Sequence, residues 1–190
     1  METEDLIEAE KQKNFLGLDL TAQHRDNLVG NLSCLNLEVA RIERDGNCFF
    51  RAIASQLCKH LTLYGEQLEE HCTSLGLGQS ETHDTNQLRE LFVNEVSENI
   101  EDYRDWMTFG DNELEEVCRF KQDGFFAHEA GDLCAKAMAK LLKIPTVIVT
   151  ALPTSPTVPF LPQEFLTTTP IYVACDHSGP GHYHGTKGML

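Results

Sequence analysis

The sequence predicts an α+β fold in which a small central β-sheet is flanked by helices. Two observations support this class: helical periodicity occupies most of the first 143 residues, and the β-branched runs typical of buried strands follow only after residue 145. A chain of 190 residues is long enough for one domain with a substantial core and too short for two comfortable ones. We therefore expect a main domain over residues 39–190 and an N-terminal helical extension, residues 1–38, packed on it.

Helices are expected where apolar residues recur every three or four positions. Residues 1–30 are polar and compatible with one or two short helices. Residues 72–84 contain two glycines and many small polar side chains, which predicts a flexible loop, with Thr85 as the cap of the next helix. The helices predicted for the main domain are Cys48–Leu61, a segment from Thr85 to Tyr103, a short one from residue 111 or 112 to 117 or 118, and Glu129–Lys143.

Strands are expected late in the chain. Thr146–Thr150 is a β-branched run apolar enough for a central strand, and Ile171–Cys175 is a second buried strand. The proline-containing residues 151–169 between them form an extended connection. A tight glycine-rich turn then leads to a returning strand over residues 182–186.

Composition and charge narrow the function classes. Fifteen basic and thirty acidic residues leave a formal charge of −15, which disfavours nucleic acid and favours a basic partner, although solubility alone would also account for it. No apolar run approaches the roughly 20 residues of a membrane span. The N-terminus is acidic and lacks the basic start of a signal peptide. We expect an intracellular, cytoplasmic protein without a membrane or nucleic-acid partner.

The seven cysteines fit a reducing compartment, because their number is odd and no two are spaced as C-x-x-C. A zinc site could be assembled from Cys58, His60, His71 and Cys72, but this spacing matches no common zinc-finger pattern. Ordinary surface and core residues are the better interpretation. No metal and no other cofactor is expected.

Cys48 stands where a turn meets a helix, the place expected for a reactive thiol. Asp45, Gly46 and Asn47 supply turn geometry. A helix that begins at Cys48 directs its unpaired N–H groups and its positive dipole end at the sulfur, which favours the nucleophilic thiolate. The backbone N–H groups of Cys48 and of the preceding turn form a candidate oxyanion hole. Gly46 suits this binding role, and Asn47 is either a further side-chain donor or a plain turn residue.

His182 is the candidate general base among eight histidines, because it follows a glycine-rich turn and opens a strand that can aim it rigidly. His184 lies two residues further and therefore faces the same side, near the Nδ1 that an orienting acceptor must meet. A His-x-His pair is also typical of metal ligands, but the only further ligands nearby in sequence are Asp176 and His177.

Two motifs together carry a family resemblance. Asp45-Gly46-Asn47-Cys48-Phe49-Phe50-Arg51-Ala52, followed late by Gly181-His182-Tyr183-His184, resembles the ovarian tumour (OTU) family of cysteine proteases, over roughly residues 40–188. The resemblance implies a papain-like OTU catalytic domain and a thiol-dependent deubiquitinase that hydrolyses isopeptide bonds after the ubiquitin C-terminal glycine. Ubiquitin or polyubiquitin is then the expected partner, with ubiquitin-like proteins left open. The alternative is a catalytically weak or inactive OTU-fold module that binds ubiquitin.

The resemblance also implies roles by position, with Cys48 as nucleophile and His182 as general base. The family usually has Asp or Asn two residues after this histidine to orient the imidazole, whereas this chain has His184. A neutral imidazole can accept a hydrogen bond but brings no negative charge. Asp45, which some family members use, and Asp176 are the other candidates for the third member of the site.

Overall fold

The computed structural model describes residues 21–107, 112–127, 130–177 and 181–189. None of the helices in these ranges has the length and apolar character needed to span a bilayer. After the first strand, helices follow one another along the chain, and the other four strands of a single sheet come after them, which confirms the α+β class.

The sheet has five strands in the order β1-β5-β4-β2-β3. β2 and β4 are parallel and the other neighbours are antiparallel. The strands are β1 (Leu37–Ala40), β2 (Thr146–Thr150), β3 (Thr157–Phe160), β4 (Ile171–Asp176) and β5 (His182–Gly188). The three predicted strands are thus present, and β1 and β3 are additional. Both are short edge strands, and β3 contains Pro159, which only an edge position tolerates.

Helices cover both faces of the sheet. Residues 21–33 are helical (α1). The others are α2 (Cys48–Tyr64), α3 (Glu66–Ser74), α4 (Glu81–Glu98), α5 (Ile100–Tyr103) with a 3₁₀ turn over Arg104–Trp106, α6 (Glu113–Arg119) and α7 (Gly131–Leu142).

The predicted loop over residues 72–84 is largely wrong, because α3 continues to Ser74 and α4 begins at Glu81. Ser80 rather than Thr85 caps α4, its side chain accepting a hydrogen bond from the N–H of His83 at 3.3 Å. The connection over residues 75–80 is tied to α4 as well: the buried carboxylate of Asp84 accepts the N–H groups of Gly78 at 2.9 Å and Gln79 at 3.2 Å.

The main core lies between one face of the sheet and the helices α2, α4 and α7. Successive residues of a strand point to opposite faces of the sheet. Ile148 and Val173 accordingly belong to this main core, whereas Val149 and Ala174 belong to a smaller core on the opposite face. Leu28 and Leu32 of α1 cover that opposite face.

The division of the chain at residue 38 remains a prediction. Part of the N-terminal extension, residues 1–20, lies outside the described residues. The described part is attached to the sheet by a hydrogen bond from Asn31 Nδ2 to the carbonyl of Thr150 at 2.8 Å. β1, which crosses the predicted boundary, pairs with β5.

Candidate active site

Cys48 is the first residue of α2, as the sequence predicts. The preceding Asn47 makes no side-chain cap to the helix, so the first-turn N–H groups are not occupied by a capping side chain from that residue. Cys48 is only 6% exposed. The site therefore offers a narrow approach to the sulfur at an uncapped helix start.

Burial raises the pKa of the Cys48 thiol above its ordinary value. The backbone N–H groups of Tyr183, Phe49 and Cys48 itself lie against the sulfur and offset part of this rise, while the charge of Asp45 adds to it. The N–H groups of the helix start thus favour the thiolate as expected, but desolvation outweighs them and the net pKa shift is upward. The resting thiol is protonated at neutral pH, and a base must remove its proton.

Asp45 is bonded within its own turn. Its Oδ2 pairs with Arg51 Nη2 at 2.5 Å, and its Oδ1 accepts the N–H of Asn47 at 3.0 Å. Burial by itself would raise the pKa of Asp45, but the bonds from Arg51 and Asn47 lower it on balance. This geometry makes Asp45 an organiser of the turn, and it also commits the Asn47 N–H, one of the donors predicted for the oxyanion hole.

The side chain of Asn47 makes structural hydrogen bonds through both of its polar atoms. Its Oδ1 accepts hydrogen bonds from Arg89 Nε at 2.8 Å and from the Gly124 N–H at 3.3 Å, and its Nδ2 donates to Asp123 Oδ1 at 2.9 Å. Asn47 thus ties the turn before Cys48 to the loop that follows α6. Of the donors predicted for the oxyanion hole, the N–H and the side chain of Asn47 have partners within the protein, and the N–H groups of Cys48 and Gly46 remain candidates.

The side chain of Arg89, in α4, fixes the turn that precedes Cys48. Its guanidinium is buried, with 2% of the residue exposed. Nη2 donates to the carbonyl of Gly46, and Nη1 donates to the carbonyls of Phe120 and Phe125, both at 2.8 Å. A planar fork of donors therefore fixes two segments that are distant in sequence.

Gly46 is required by a close backbone approach. Its φ is +75°, and a Cβ at this position would lie 1.8 Å from the carbonyl oxygen of Gly124. From the sequence, Gly46 is expected in the oxyanion-binding role, with its backbone close to the substrate. The structure places a neighbouring loop there instead.

His182 is the first residue of β5 and pairs in register with Asp176 of β4. Its Nε2 lies 2.8 Å from the carbonyl oxygen of Ile42. A carbonyl can only accept, so Nε2 carries the proton and Nδ1 carries the free lone pair. Burial lowers the pKa of His182, partly offset by the bond to Ile42 and by the charge of Asp176. The sequence predicts an orienting acceptor at Nδ1, whereas the acceptor in contact with the ring, the Ile42 carbonyl, meets Nε2.

His184 lies on the same face as His182, as the strand spacing predicts, with the ring centroids 4.3 Å apart and the planes at 86°. Its Nδ1 accepts the backbone N–H of Ile42 at 3.3 Å. Burial, and then the neighbouring His182, lower the pKa of His184 to about 4, so the ring is neutral at pH 7. His184 and His182 therefore contact the same residue, one through the N–H of Ile42 and the other through its carbonyl.

Tyr183 connects the two halves of the site. Its backbone N–H lies against the Cys48 sulfur, and its ring packs on the α2 side of the sheet at 5.2 Å from the ring of Phe49. Among the described residues, no direct hydrogen bond joins the Cys48 thiol to the His182 ring. Catalytic hydrogen bonds commonly tighten only when substrate is bound.

The four residues considered for zinc do not converge. The imidazoles of His60 and His71 bond backbone carbonyls, those of Gln56 and Thr169 for His60 and that of Leu141 for His71. Within the described ranges, no group of three or more His, Cys, Asp or Glu residues is arranged to hold a metal ion.

Sequence reasoning missed Ile42 and Arg89. Ile42 acts through its backbone, which no side-chain pattern reveals. Arg89 had a usable signal, because it lies three positions before Phe92 and four after Thr85, on the buried stripe of α4. A charged residue on an apolar stripe is seldom buried unless its donors are all engaged.

Comparisons with known proteins agree with this architecture. The family model of OTU-like cysteine proteases matches residues 43–174, a range that includes Cys48 and ends before His182. The solved structure of the OTUD1 OTU domain is similar at a TM-score of 0.57 and 22% identity, covering 90% of this chain and 98% of that chain. At this identity the likeness concerns the fold. No curated protein sequence matches the chain.

Proposed function

The chain belongs to the OTU-like cysteine protease family, and on that premise we propose that it is a thiol-dependent deubiquitinase. One observation carries the proposal: Cys48 opens α2 with its sulfur against the N–H of Tyr183, the residue next to His182. A nucleophile and a base on rigid elements, at adjoining positions, are what covalent acyl transfer requires.

In the proposed reaction, Nδ1 of His182 takes the proton of the Cys48 thiol as the sulfur attacks the carbonyl carbon of the ubiquitin C-terminal glycine. The resulting oxyanion meets the N–H of Cys48 at the start of α2. The imidazolium then gives its proton to the departing lysine amine, leaving a thioester. Water, deprotonated by the same nitrogen, hydrolyses the thioester and restores the thiol. The raised thiol pKa and the lowered imidazole pKa both favour the neutral form of the resting pair.

The shape and charge of the site suit the ubiquitin tail. With Cys48 only 6% exposed, a slender chain that ends in glycine reaches the sulfur more easily than one with side chains near its end. The formal charge of −15 attracts the arginines of that tail. The same charge opposes binding to nucleic acid. A cytoplasmic location belongs to the proposal too, because Cys34, Cys58 and Cys118 are exposed free thiols, which a reducing compartment preserves.

The competing function is an OTU-fold module that binds ubiquitin with little or no catalysis. The observation in its favour is the resting site itself, in which the thiol pKa is raised by burial and no carboxylate follows His182 at the second position. This module would bind ubiquitin without cleaving it.

A panel of diubiquitin linkages separates the two functions. We expect cleavage of at least one linkage by the unmodified chain and its loss in Cys48→Ala and His182→Ala, with circular dichroism showing the fold retained. Cys58→Ala is the matched control, since Cys58 is an exposed thiol on the same helix, and it should cleave normally. A ubiquitin probe with a C-terminal electrophile should be captured at Cys48. Binding of ubiquitin with neither cleavage nor capture would establish the inactive module.

A further inference from the structure

A backbone carbonyl holds the imidazole of His182. Ile42 lies against both histidines, its carbonyl oxygen 2.8 Å from His182 Nε2 and its N–H 3.3 Å from His184 Nδ1. We propose that the Ile42 carbonyl is the orienting acceptor of the site, in place of a side chain, and that His184 is a positioning residue that holds Ile42. This inference rests on the proposed function of His182 as the base.

The two hydrogen bonds define one set of tautomers. The Ile42 carbonyl can only accept, so His182 must carry its proton on Nε2 and keep Nδ1 free for the thiol proton. The Ile42 N–H can only donate, so Nδ1 of His184 is unprotonated. In a serine protease, replacing the orienting aspartate by its amide costs about 10⁴ in rate through the wrong tautomer. A backbone carbonyl cannot reverse its polarity as an amide side chain can, so it avoids this failure.

Ile42 needs a clamp because it lies beyond the end of a strand. The last paired residue of β1 is Ala40, opposite Gly185 of β5, and the ladder no longer supports the chain two residues later. His184 is itself held in β5 by pairing with Ala174 of β4. The Ile42 side chain packs against the main core and supplies a second attachment. The position of the Ile42 carbonyl is thereby fixed by two contacts, one with His184 of β5 and one with the main core.

Charged side chains also lie near His182 and His184, and one of them, the Asp176 carboxylate, is the alternative orienting group. Asp176 lies opposite His182 in the β4–β5 pair, and its carboxylate is 3.5 Å from Arg44 Nη2. The charge of Asp176 raises the pKa of both histidines, that of Arg44 lowers both, and Arg41 lowers that of His184. If the carboxylate of Asp176 were the orienting group, Asp176→Asn would be as damaging as His182→Ala.

Single-atom changes in the backbone test the acceptor directly. Replacing Glu43 by its α-hydroxy acid converts the Ile42 carbonyl to an ester, a weaker acceptor, and leaves every side chain intact; Glu43 is exposed, so its lost N–H is one that water can reach. We expect kcat on diubiquitin to fall about tenfold with KM unchanged, the size of one weakened hydrogen bond. The acid limb of the pH profile of kcat should move to lower pH, because the imidazolium loses an acceptor.

Variants at position 184 test the clamp. His184→Phe removes the acceptor for the Ile42 N–H and should lower kcat about tenfold, whereas His184→Asn restores an acceptor oxygen and should recover most of that loss. Combining His184→Phe with the Glu43 ester should cost less than the product of the two effects, since both act through Ile42. His71→Phe is the control: it removes another histidine–carbonyl bond of 2.8 Å, to Leu141, and should leave kcat unchanged.

A readout independent of activity separates failure of this inference from failure of the proposed function. Nitrogen-15 NMR of labelled histidines should show both His182 and His184 as the tautomer with the proton on Nε2 at neutral pH. A His182 proton on Nδ1, an unchanged kcat in the Glu43 ester, or an Asp176→Asn loss equal to that of His182→Ala would each overturn the inference. If the chain cleaves no diubiquitin, the tautomers still decide whether Ile42 orients the ring.

Discussion

Replacing Gly46 by alanine should disable the site through the backbone of a neighbouring loop. The new Cβ would lie 1.8 Å from the Gly124 carbonyl oxygen and 2.4 Å from its carbon. Both are main-chain atoms, so no side-chain rotation relieves the contact. The turn before Cys48 and the loop at Gly124 must separate by roughly 1.6 Å between them to restore an ordinary contact distance.

The expected loss of unfolding free energy in Gly46→Ala has two parts. A left-handed φ costs a non-glycine residue about 1–2 kcal/mol, offset by about 0.4–1 kcal/mol from the stiffer unfolded chain. The displacement then breaks the bonds that Asn47 and Arg89 make across the same gap, which adds about 2–3 kcal/mol. We expect a net loss of about 3 kcal/mol in unfolding free energy. Displacing the nucleophile by about 1 Å should also lower kcat/KM about 100-fold.

Gly65→Ala is the matched control. Gly65 has a φ of +86° but no atom within 4 Å of the added Cβ, so it bears the conformational cost alone. Urea unfolding and diubiquitin cleavage should be measured for both variants. If Gly46→Ala unfolds at the same urea concentration as Gly65→Ala and cleaves as fast as the unmodified chain, the close approach of the two segments does not shape the site.

Three further predictions concern buried groups. Arg89→Lys keeps the positive charge but loses the planar set of guanidinium donors. We therefore expect the unfolding free energy in urea to fall by about 2–4 kcal/mol and the ubiquitin probe to be captured more slowly. Unchanged capture would show that the guanidinium does not hold the turn before Cys48. Burial, and then His182, lower the pKa of His184 from 6.5 to about 4 on folding. The unfolded chain therefore binds this proton first, and stability should decline as pH falls from about 6.5 to 4. The stability difference between the unmodified chain and His184→Phe should change with pH mainly inside that window and level off below it. Gly131→Ala would place a Cβ 2.0 Å from the hydroxyl of the buried Tyr183 and should cost about 2 kcal/mol in thermal unfolding. Gly30→Ala, in a helix with open space around the Cβ, should instead gain about 0.5–1 kcal/mol, and equal effects of the two substitutions would contradict the packing argument.

Local pattern was sufficient for the longer elements of the fold. The start of α2 at Cys48 and the start of β5 at His182 both fall where turn residues meet a periodic run. The edge strands β1 and β3 escaped prediction, because four residues with mixed exposure carry little periodicity and become strands by pairing with a neighbour. The connection between α3 and α4 is shorter than the loop predicted over residues 72–84. Ser80 and Asp84 organise it through hydrogen bonds that composition does not reveal.

The sequence by itself determined where the candidate site residues stand: a cysteine at a helix start, a histidine at a strand start, and a glycine where the backbone must turn. These depend on short-range geometry, which neighbouring residues specify. Tertiary structure alone decided what surrounds them. The raised thiol pKa follows from burial by distant segments, the loop at Gly124 occupies the space beside Gly46, and the acceptor for His182 is a main-chain oxygen 140 residues away. Every residue has such an oxygen, so only the folded chain determines which one meets the imidazole.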